Sequence, residues 1–322
     1  MITILMPVYN EGGQIRANLH TVEAVLDEAR IPHSFLLVDD GSTDNTWDEL
    51  CAARRELAAV RLVRLSRNFG KEAALCAGLE RADGDAVVVM DADLQHPPRY
   101  IPRMVELWQQ GFDIVDGVKE KRADEPLLRR WGAALYYKLF SRLTGLSEQP
   151  LSDFKLLSRR ALDAWKQLPE RGTYFRGMSA WVGFPRCQLP FTVDSRRGGR
   201  TKWSFSSLLR LSVDSIIAYS AAPLLFVGLL GLLLLAAAGL LAVQTLWMYF
   251  SHRAQTGFST VILLQLIIGS CLMMALSVIG LYIGKIYEEV KGRPRYLVRE
   301  DSGPAGDDAP PRASVYSNKV CI

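Results

Sequence analysis

The chain has 322 residues, 49% hydrophobic and 22% charged, with a formal net charge of +4. That apolar content excludes a disordered chain, and so small a charge leaves no electrostatic footprint for nucleic acid, so no nucleic-acid partner is expected. Residues 215–251 and 254–284 contain no Asp, Glu, Lys or Arg; each gap is long enough to cross a bilayer, which excludes an all-soluble globule, and two gaps alone exclude a multi-pass channel or carrier.

Residues 2–8 form a short apolar run with Pro7 near its end, which predicts a buried strand. Asn10 is placed to cap a following helix over 14–30, with Glu11 in its first turn. A second apolar run at 35–38 closes on Asp39-Asp40-Gly41-Ser42, and 43–59 then carries helical spacing. Strands are expected at 60–65, 86–90 and 113–118, and helices at 71–82 and 98–111. Strands alternating with helices predict an α/β fold with a mostly parallel sheet covered on both faces. Ligands of such sheets bind beyond the carboxyl ends of the strands, where the polar residues of this chain gather.

Two basic, aromatic amphipathic stretches follow at 127–143 and 203–217, expected to lie in a membrane interface. Residues 224–243 supply one span, since twenty residues at ~1.5 Å rise cover about 30 Å; 261–284 supply a second. Arg196, Arg197, Arg200, Lys202 and Arg210 precede the first, and Lys285, Lys291, Arg293 and Arg295 follow the second. The intervening loop holds only His252 and Arg253, so both chain ends are expected in the cytosol and this loop outside, with Trp247 and Tyr249 in the outer aromatic belt. The expected layout is a cytosolic catalytic domain over 1–202, an interface helix over 203–219 and two transmembrane helices within 220–284 (about 222–246 and 260–284). A juxtamembrane segment over 285–301 and a disordered tail over 302–322 complete it. Five cysteines with no CxxC pair fit free thiols in a reducing compartment, and no signal peptide is read at the N-terminus.

Asp91-Ala92-Asp93 with Gln95 follows a buried strand and offers hard oxygen ligands suited to Mg²⁺ or Mn²⁺, whose shell is completed by substrate phosphate oxygens. Such an ion neutralises a departing diphosphate. Asp39 and Asp40 are candidate acceptors for a base or ribose, while Ser42 and Asp44 are assigned to capping the next helix. Tyr9 can stack on a nucleobase, and Glu11 can bond a ribose or base.

The segments PVYNE (7–11), VDDGSTD (38–44), RNFGKEAA (67–74), MDADLQHPP (90–98), DF (153–154), RGGRTKW (197–203) and GLYIGKIYEEVKGRPRYLV (280–298) together resemble the family 2 glycosyltransferases of GT-A fold. The likeness is nearest to the polyprenyl-phosphate branch that includes bactoprenol glucosyl transferases and dolichol-phosphate mannose synthases. It implies a Rossmann-like GT-A domain with a two-helix transmembrane hairpin at the bacterial inner membrane. By resemblance, Pro7, Tyr9, Glu11, Val38, Asp39 and Asp40 match nucleoside-contacting positions, and Asp91, Ala92, Asp93 and Gln95 the diphosphate–metal motif. Arg196 and Lys202 match a segment that closes over pyrophosphate and acceptor phosphate. Lys119 and Lys155 stand where relatives often carry Arg, keeping charge but losing the bidentate fork. Tetramers occur among relatives with similar paired spans, so a homo-oligomer is implied.

A phosphate monoester has its second pKa near ~6, so a lipid monophosphate attacks without a general base. Of the histidines only His96, beside the acidic motif, is placed to matter, and a supporting role is expected. Arg122 and Arg129, with Lys119, are the candidates for the acceptor phosphate; Asp153 either orients the sugar near its anomeric carbon or caps the next helix. The expected reaction is inverting transfer from UDP-glucose to undecaprenyl phosphate. Alternatives are a GDP-mannose, UDP-N-acetylglucosamine or modified-pentose donor, and a membrane-bound nucleotide-sugar sensor without turnover. A flippase is disfavoured by spans without intramembrane charge, and a processive synthase by the missing QxxRW signature.

Overall fold

The computed structural model describes residues 1–57, 59–119, 152–168, 175–192, 220, 222–251, 258–303 and 312–313. The sequence-predicted strands appear as β1 (Ile2–Val8), β2 (His33–Asp39), β3 (Val60–Leu65), β4 (Ala86–Val89) and β5 (Ile114–Lys119). Between them run α1 (Ile15–Glu28), α2 (Thr46–Glu56), α3 (Lys71–Arg81) and α4 (Ile101–Gln109). Beyond lie β6 (Lys155–Ser158), α5 (Arg159–Lys166), α6 (Phe175–Trp181) and β7 (Arg186–Phe191). Two long helices, α7 (Ala222–Phe250) and α8 (Phe258–Val290), precede β8 (Val298–Asp301) and β9 (Arg312–Ala313). The amphipathic stretches at 127–143 and 203–217 lie outside the described residues.

The strands form one sheet in the order β7-β5-β6-β4-β1-β2-β3-β8-β9. Its centre, β4-β1-β2-β3, is parallel. β6 runs antiparallel between β4 and β5. The central strands are apolar on both faces because helices cover both: Ile4, Met6, Phe35 and Leu62 pack beneath α1 and α2, and Leu5, Val38 and Val63 beneath α3. α3 lies so close to β1 that a Cβ on Gly78 would come 2.2 Å from Leu5 Cδ1.

β1 sets the position of the cleft. Its pairing with β4 stops at Leu5↔Val89, while its pairing with β2 continues to Val8↔Asp39. Pro7 has no N–H to offer the β4 side, so the strands part there. The sheet changes winding direction at this point, which opens a crevice at the carboxyl ends.

Asn10 does not cap α1. The N-cap is Gln14, and Asn10 lies upstream with φ +53°. The disorder expected from residue 302 does not begin there either. Ser302 is buried, its Oγ accepts from Leu62 N at 2.9 Å, and its N–H donates to Leu62 O at 2.9 Å. Residues 298–301, placed by sequence in a juxtamembrane segment, pair antiparallel with β3 and cover its open edge. Arg61 grips both oxygens of Asp301 at 3.1 Å, and Arg81 adds a third bond at 3.1 Å.

The described residues divide into two units. One holds the sheet and its helices, including the segment from Pro294 onward. The other holds α7 and α8, which contain apolar stretches long enough to cross a membrane at Pro223–Thr245 and Ile267–Val290, neither with any buried residue. Leu225, Leu229, Leu232 and Leu240 are all more than 60% exposed, an outward face that suits hydrocarbon and not water. Within this unit the Tyr282 hydroxyl donates to Ser220 O at 2.6 Å.

Candidate functional site

Two loops at the ends of β1 and β2 are knitted into one wall. Asn10 N–H donates to Ser42 Oγ at 3.0 Å, and Asn10 Oδ1 accepts from Thr43 N at 2.9 Å. Glu11 N–H donates to Thr46 Oγ1 and Gly12 N–H to Asp44 Oδ2. Asp44 also accepts from Thr46 N at 3.0 Å, yet neither it nor Ser42 caps α2 as expected: the N-cap is Asn45, with no side-chain cap bond. Gly41 has φ +66°, and a Cβ there would meet the Arg67 carbonyl carbon at 2.4 Å. Only glycine lets the Asp39-Asp40 turn pass this close to the next loop.

Asp40 fixes that next loop. Its two carboxylate oxygens accept from Phe69 N at 2.8 Å and Gly70 N at 2.9 Å, which aims Lys71 at the cleft. Burial raises the pKa of Asp40, opposed by these two bonds. Val38 and Asp39 do not line the cleft: both have 0% exposure. Asp39 Oδ1 accepts from Ser42 N at 2.9 Å, and Oδ2 faces Arg64 Nε at 3.3 Å. Burial raises the pKa of Asp39 as well.

The acidic turn after β4 is held from beneath. Asn18 on α1 donates its amide to Ala92 O at 2.8 Å. Asp91 N–H donates to His96 Nδ1 at 3.2 Å, so the imidazole is a neutral acceptor at that nitrogen. His96 is 3% exposed, stacks on Phe154 at 5.1 Å, and has its pKa lowered by burial. Leu94 takes φ +53° to complete the turn, a local strain of the kind found at functional sites. Gln95 turns back on Asp93: Nε2 donates to Asp93 Oδ2 at 2.5 Å and the backbone N–H to Asp93 Oδ1 at 3.0 Å.

A charge cluster that sequence reading had left unassembled lies beside the turn. Lys71 Nζ sits 2.5 Å from Asp91 Oδ1 and 2.7 Å from Asp153 Oδ2. Arg176 on α6 grips both oxygens of Asp153, Nε to Oδ1 at 2.6 Å and Nη2 to Oδ2 at 2.8 Å. Asp153 is 4% exposed. Burial opposes its charge, but Arg176 and Lys71 win and hold its pKa far below the usual carboxylate range. It caps no helix: the cap of α5 is Ser158, whose side chain accepts from Ala161 N. Burial lowers the pKa of Lys119, opposed by the charges of Asp91, Asp93 and Asp153 and reinforced by that of Arg176. Lys155 is not at the cleft surface. It is fully buried on β6, paired with Asp116 Oδ1 at 2.6 Å, and Arg186 clamps the other oxygen of Asp116.

The cleft itself measures about 280 Å³ and is lined by Pro7, Tyr9, Glu11, Asp40, Asn68, Lys71, Asp91, Ala92 and Asp93, among others. The structure thus brings together the ends of β1, β2 and β4, as the sequence predicted. Tyr9 is 44% exposed there, an open ring for stacking. Arg122, Arg129, Arg196 and Lys202 lie outside the described residues. Lys71 and Arg176 were missed as site residues. Lys71 stood in the RNFGKEAA segment directly after a glycine at a strand–helix junction; Arg176 carried no comparable signal.

Among the described residues no cluster of three or more His, Cys, Asp or Glu could hold a metal by itself. Asp91 and Asp93 nonetheless fit a divalent cation that shares its shell with a diphosphate. Burial raises the pKa of Glu11, and the nearby charges of Asp93, Asp44 and Asp91 raise it further. That is a crowd of acidic groups a cation would relieve.

The model of the family described as Glycosyl transferase family 2 matches residues 3–164. The chain is similar to the "Uncharacterized glycosyltransferase YkcC" of Bacillus subtilis (strain 168), 36% identical over 304 residues that cover 94% of each chain. It is also similar to the SfII prophage-derived bactoprenol glucosyl transferase of Shigella flexneri, 32% identical over 93% of this chain and 97% of that one. Among solved structures, glucosyl-3-phosphoglycerate synthase from Mycobacterium tuberculosis overlays with a TM-score of 0.47 at 20% identity, covering 68% of this chain and 80% of that chain.

Proposed function

The chain belongs to glycosyl transferase family 2 and is a glycosyltransferase, and from that premise we propose that it transfers glucose, with inversion, from UDP-glucose to undecaprenyl phosphate at the cytoplasmic face of a bacterial inner membrane. The observation that carries the reading is the meeting of the Asp91–Asp93 turn with the Lys71–Asp153–Arg176 cluster at one end of the cleft. Near full-length similarity to a protein named a bactoprenol glucosyl transferase supports the lipid acceptor, and two apolar helices support membrane residence.

In this proposal Tyr9 stacks on the nucleobase, Glu11 bonds the ribose or base, and Asp91 and Asp93 hold Mg²⁺ or Mn²⁺. When bound, such an ion neutralises charge on a leaving nucleoside diphosphate. Gln95, whose Nε2 bonds Asp93, offers its amide oxygen to the same ion. Asp153 stays ionised and positions Lys71 and Arg176; with its pKa so depressed it cannot serve as a proton donor. The acceptor phosphate is already charged near neutrality, so no side chain need take a proton. Lys119, with Arg122 and Arg129, draws the acceptor phosphate in, and Arg196 and Lys202 close over the donor. The catalytic domain and both chain ends face the cytosol.

The test is a transfer assay on purified full-length protein with labelled UDP-glucose, undecaprenyl phosphate and Mg²⁺ or Mn²⁺. The proposal predicts a labelled lipid and released UDP only when lipid phosphate and metal are both present. Transfer from GDP-mannose, UDP-N-acetylglucosamine or a pentose donor alone would replace the sugar assignment. No nucleotide release from any of them would favour a sensor without turnover.

A further inference from the structure

Lys71 occupies a place that the proposed chemistry needs for something else. Its ammonium lies 2.5 Å from Asp91 Oδ1, and Asp91 is one of the two carboxylates assigned above to a divalent cation. The same ammonium lies 2.7 Å from Asp153. The backbone leading into it is pinned, because Asp40 takes the N–H groups of Phe69 and Gly70. With the backbone held, Lys71 would leave Asp91 by rotating its own stem, which is 41% exposed.

The two carboxylates are unequally supplied with positive charge. Asp153 has Arg176 on both oxygens in addition to Lys71. Asp91 has Lys71 in contact and feels the charge of Lys119, while His96 stands 3.9 Å away as a neutral ring whose Nδ1 accepts from the Asp91 N–H. Lys71 can leave Asp91 without stranding Asp153. Conversely, a divalent cation arriving at Asp91 meets an ammonium already seated there, and two cations on one oxygen repel strongly.

Resting on the reading of Asp91 and Asp93 as cation ligands, we infer that Lys71 is a resident counter-cation for Asp91, displaced when a divalent ion enters with the nucleotide. Its presence weakens binding of free metal to the empty cleft. The negative diphosphate reverses the balance, so metal and nucleotide load together, and the coupling is reciprocal. Lys71 is thus a positioning residue: it keeps the acidic turn charge-balanced until donor arrives.

The experiment is a Mn²⁺ titration of full-length protein in detergent, with free Mn²⁺ read by electron paramagnetic resonance, without nucleotide and with UDP or GDP. Lys71→Met and Lys71→Gln are expected to bind Mn²⁺ on the order of tenfold more tightly than wild type without nucleotide. The enhancement of Mn²⁺ affinity by nucleotide is expected to shrink by the same factor. Lys71→Arg keeps the charge and is expected to stay near wild type, which separates charge from mere loss of packing. If the Met and Gln variants bind Mn²⁺ no tighter than wild type while nucleotide-supported binding persists, the counter-cation role is overturned and the metal ligands stand. If no protein binds Mn²⁺ even with nucleotide, the metal reading falls, and this inference with it.

Discussion

Arg176 holds Asp153 through two parallel bonds, Nε to Oδ1 at 2.6 Å and Nη2 to Oδ2 at 2.8 Å. The pair joins the loop before β6 to the first turn of α6, and Lys71 ties it to the acidic turn after β4. Bidentate, charge-assisted pairs are the strong ones. Replacing Asp153 by Asn removes the charge that gathers two cations. We predict a loss of transfer on the order of 10²-fold, with intact membrane insertion. Because the carboxyl titrates far below neutrality, no activity transition near neutral pH should trace to Asp153. Its stabilising contribution is present above the unfolded pKa of about 4 and is lost only as pH falls through the lower folded value. A pH–rate profile and a pH series of melting temperatures check both.

Asp93→Ala is predicted to abolish transfer while leaving membrane insertion and folding intact. Asp93 is exposed and bonds only Gln95 among the described residues, so little structure depends on it. Labelled-lipid formation and sedimentation with membranes check this; near wild-type turnover would remove Asp93 from the cation site.

Glu72, at the start of α3, accepts from Phe175 N at 2.8 Å, and its pKa is pushed up to about 7, by burial first and then by Asp153. A carboxyl raised in the folded state favours folding when protonated. Its stabilising contribution is therefore complete below about 4.5 and is lost as pH rises through about 7. Wild-type melting temperature should fall across that window relative to Glu72→Gln, whose profile should be flatter. Parallel profiles would refute the shift.

Lys155 and Asp116 are both at 0% exposure. Lys155→Met removes one of two cations on buried Asp116, and because Arg186 still clamps the other oxygen, the cost should fall below the roughly 3–5 kcal/mol of a buried pair left with no partner. Activity per folded molecule should hold, since Lys155 does not line the cleft. A denaturant titration and a specific-activity measurement separate the two effects.

Much of this arrangement was legible in the sequence. The apolar runs at 2–8, 35–38 and 86–90 are strands because burial on both faces demands such composition, and their polar sequels meet at the cleft for the same topological reason. What escaped was held by distance in the chain. β6 is four residues long and opens on Lys155, whose partner Asp116 lies 39 positions earlier; no periodicity announces such a strand. Arg176 finds Asp153 from 23 positions away. Asp39 read as a nucleoside contact because it follows a strand, yet its side chain turns inward to Ser42 and Arg64. Ser302 opens a Gly-, Pro- and Asp-rich tail, and only the open edge of β3 explains why it is ordered.

The central claim is that the acidic turn after β4 receives the donor's diphosphate. A cryo-electron microscopy map of the full-length protein with UDP-glucose and Mn²⁺ tests it most directly. The account predicts the diphosphate and the ion against Asp91 and Asp93, with the base over Tyr9. A diphosphate seated away from that turn, with Lys71 still on Asp91, would contradict it.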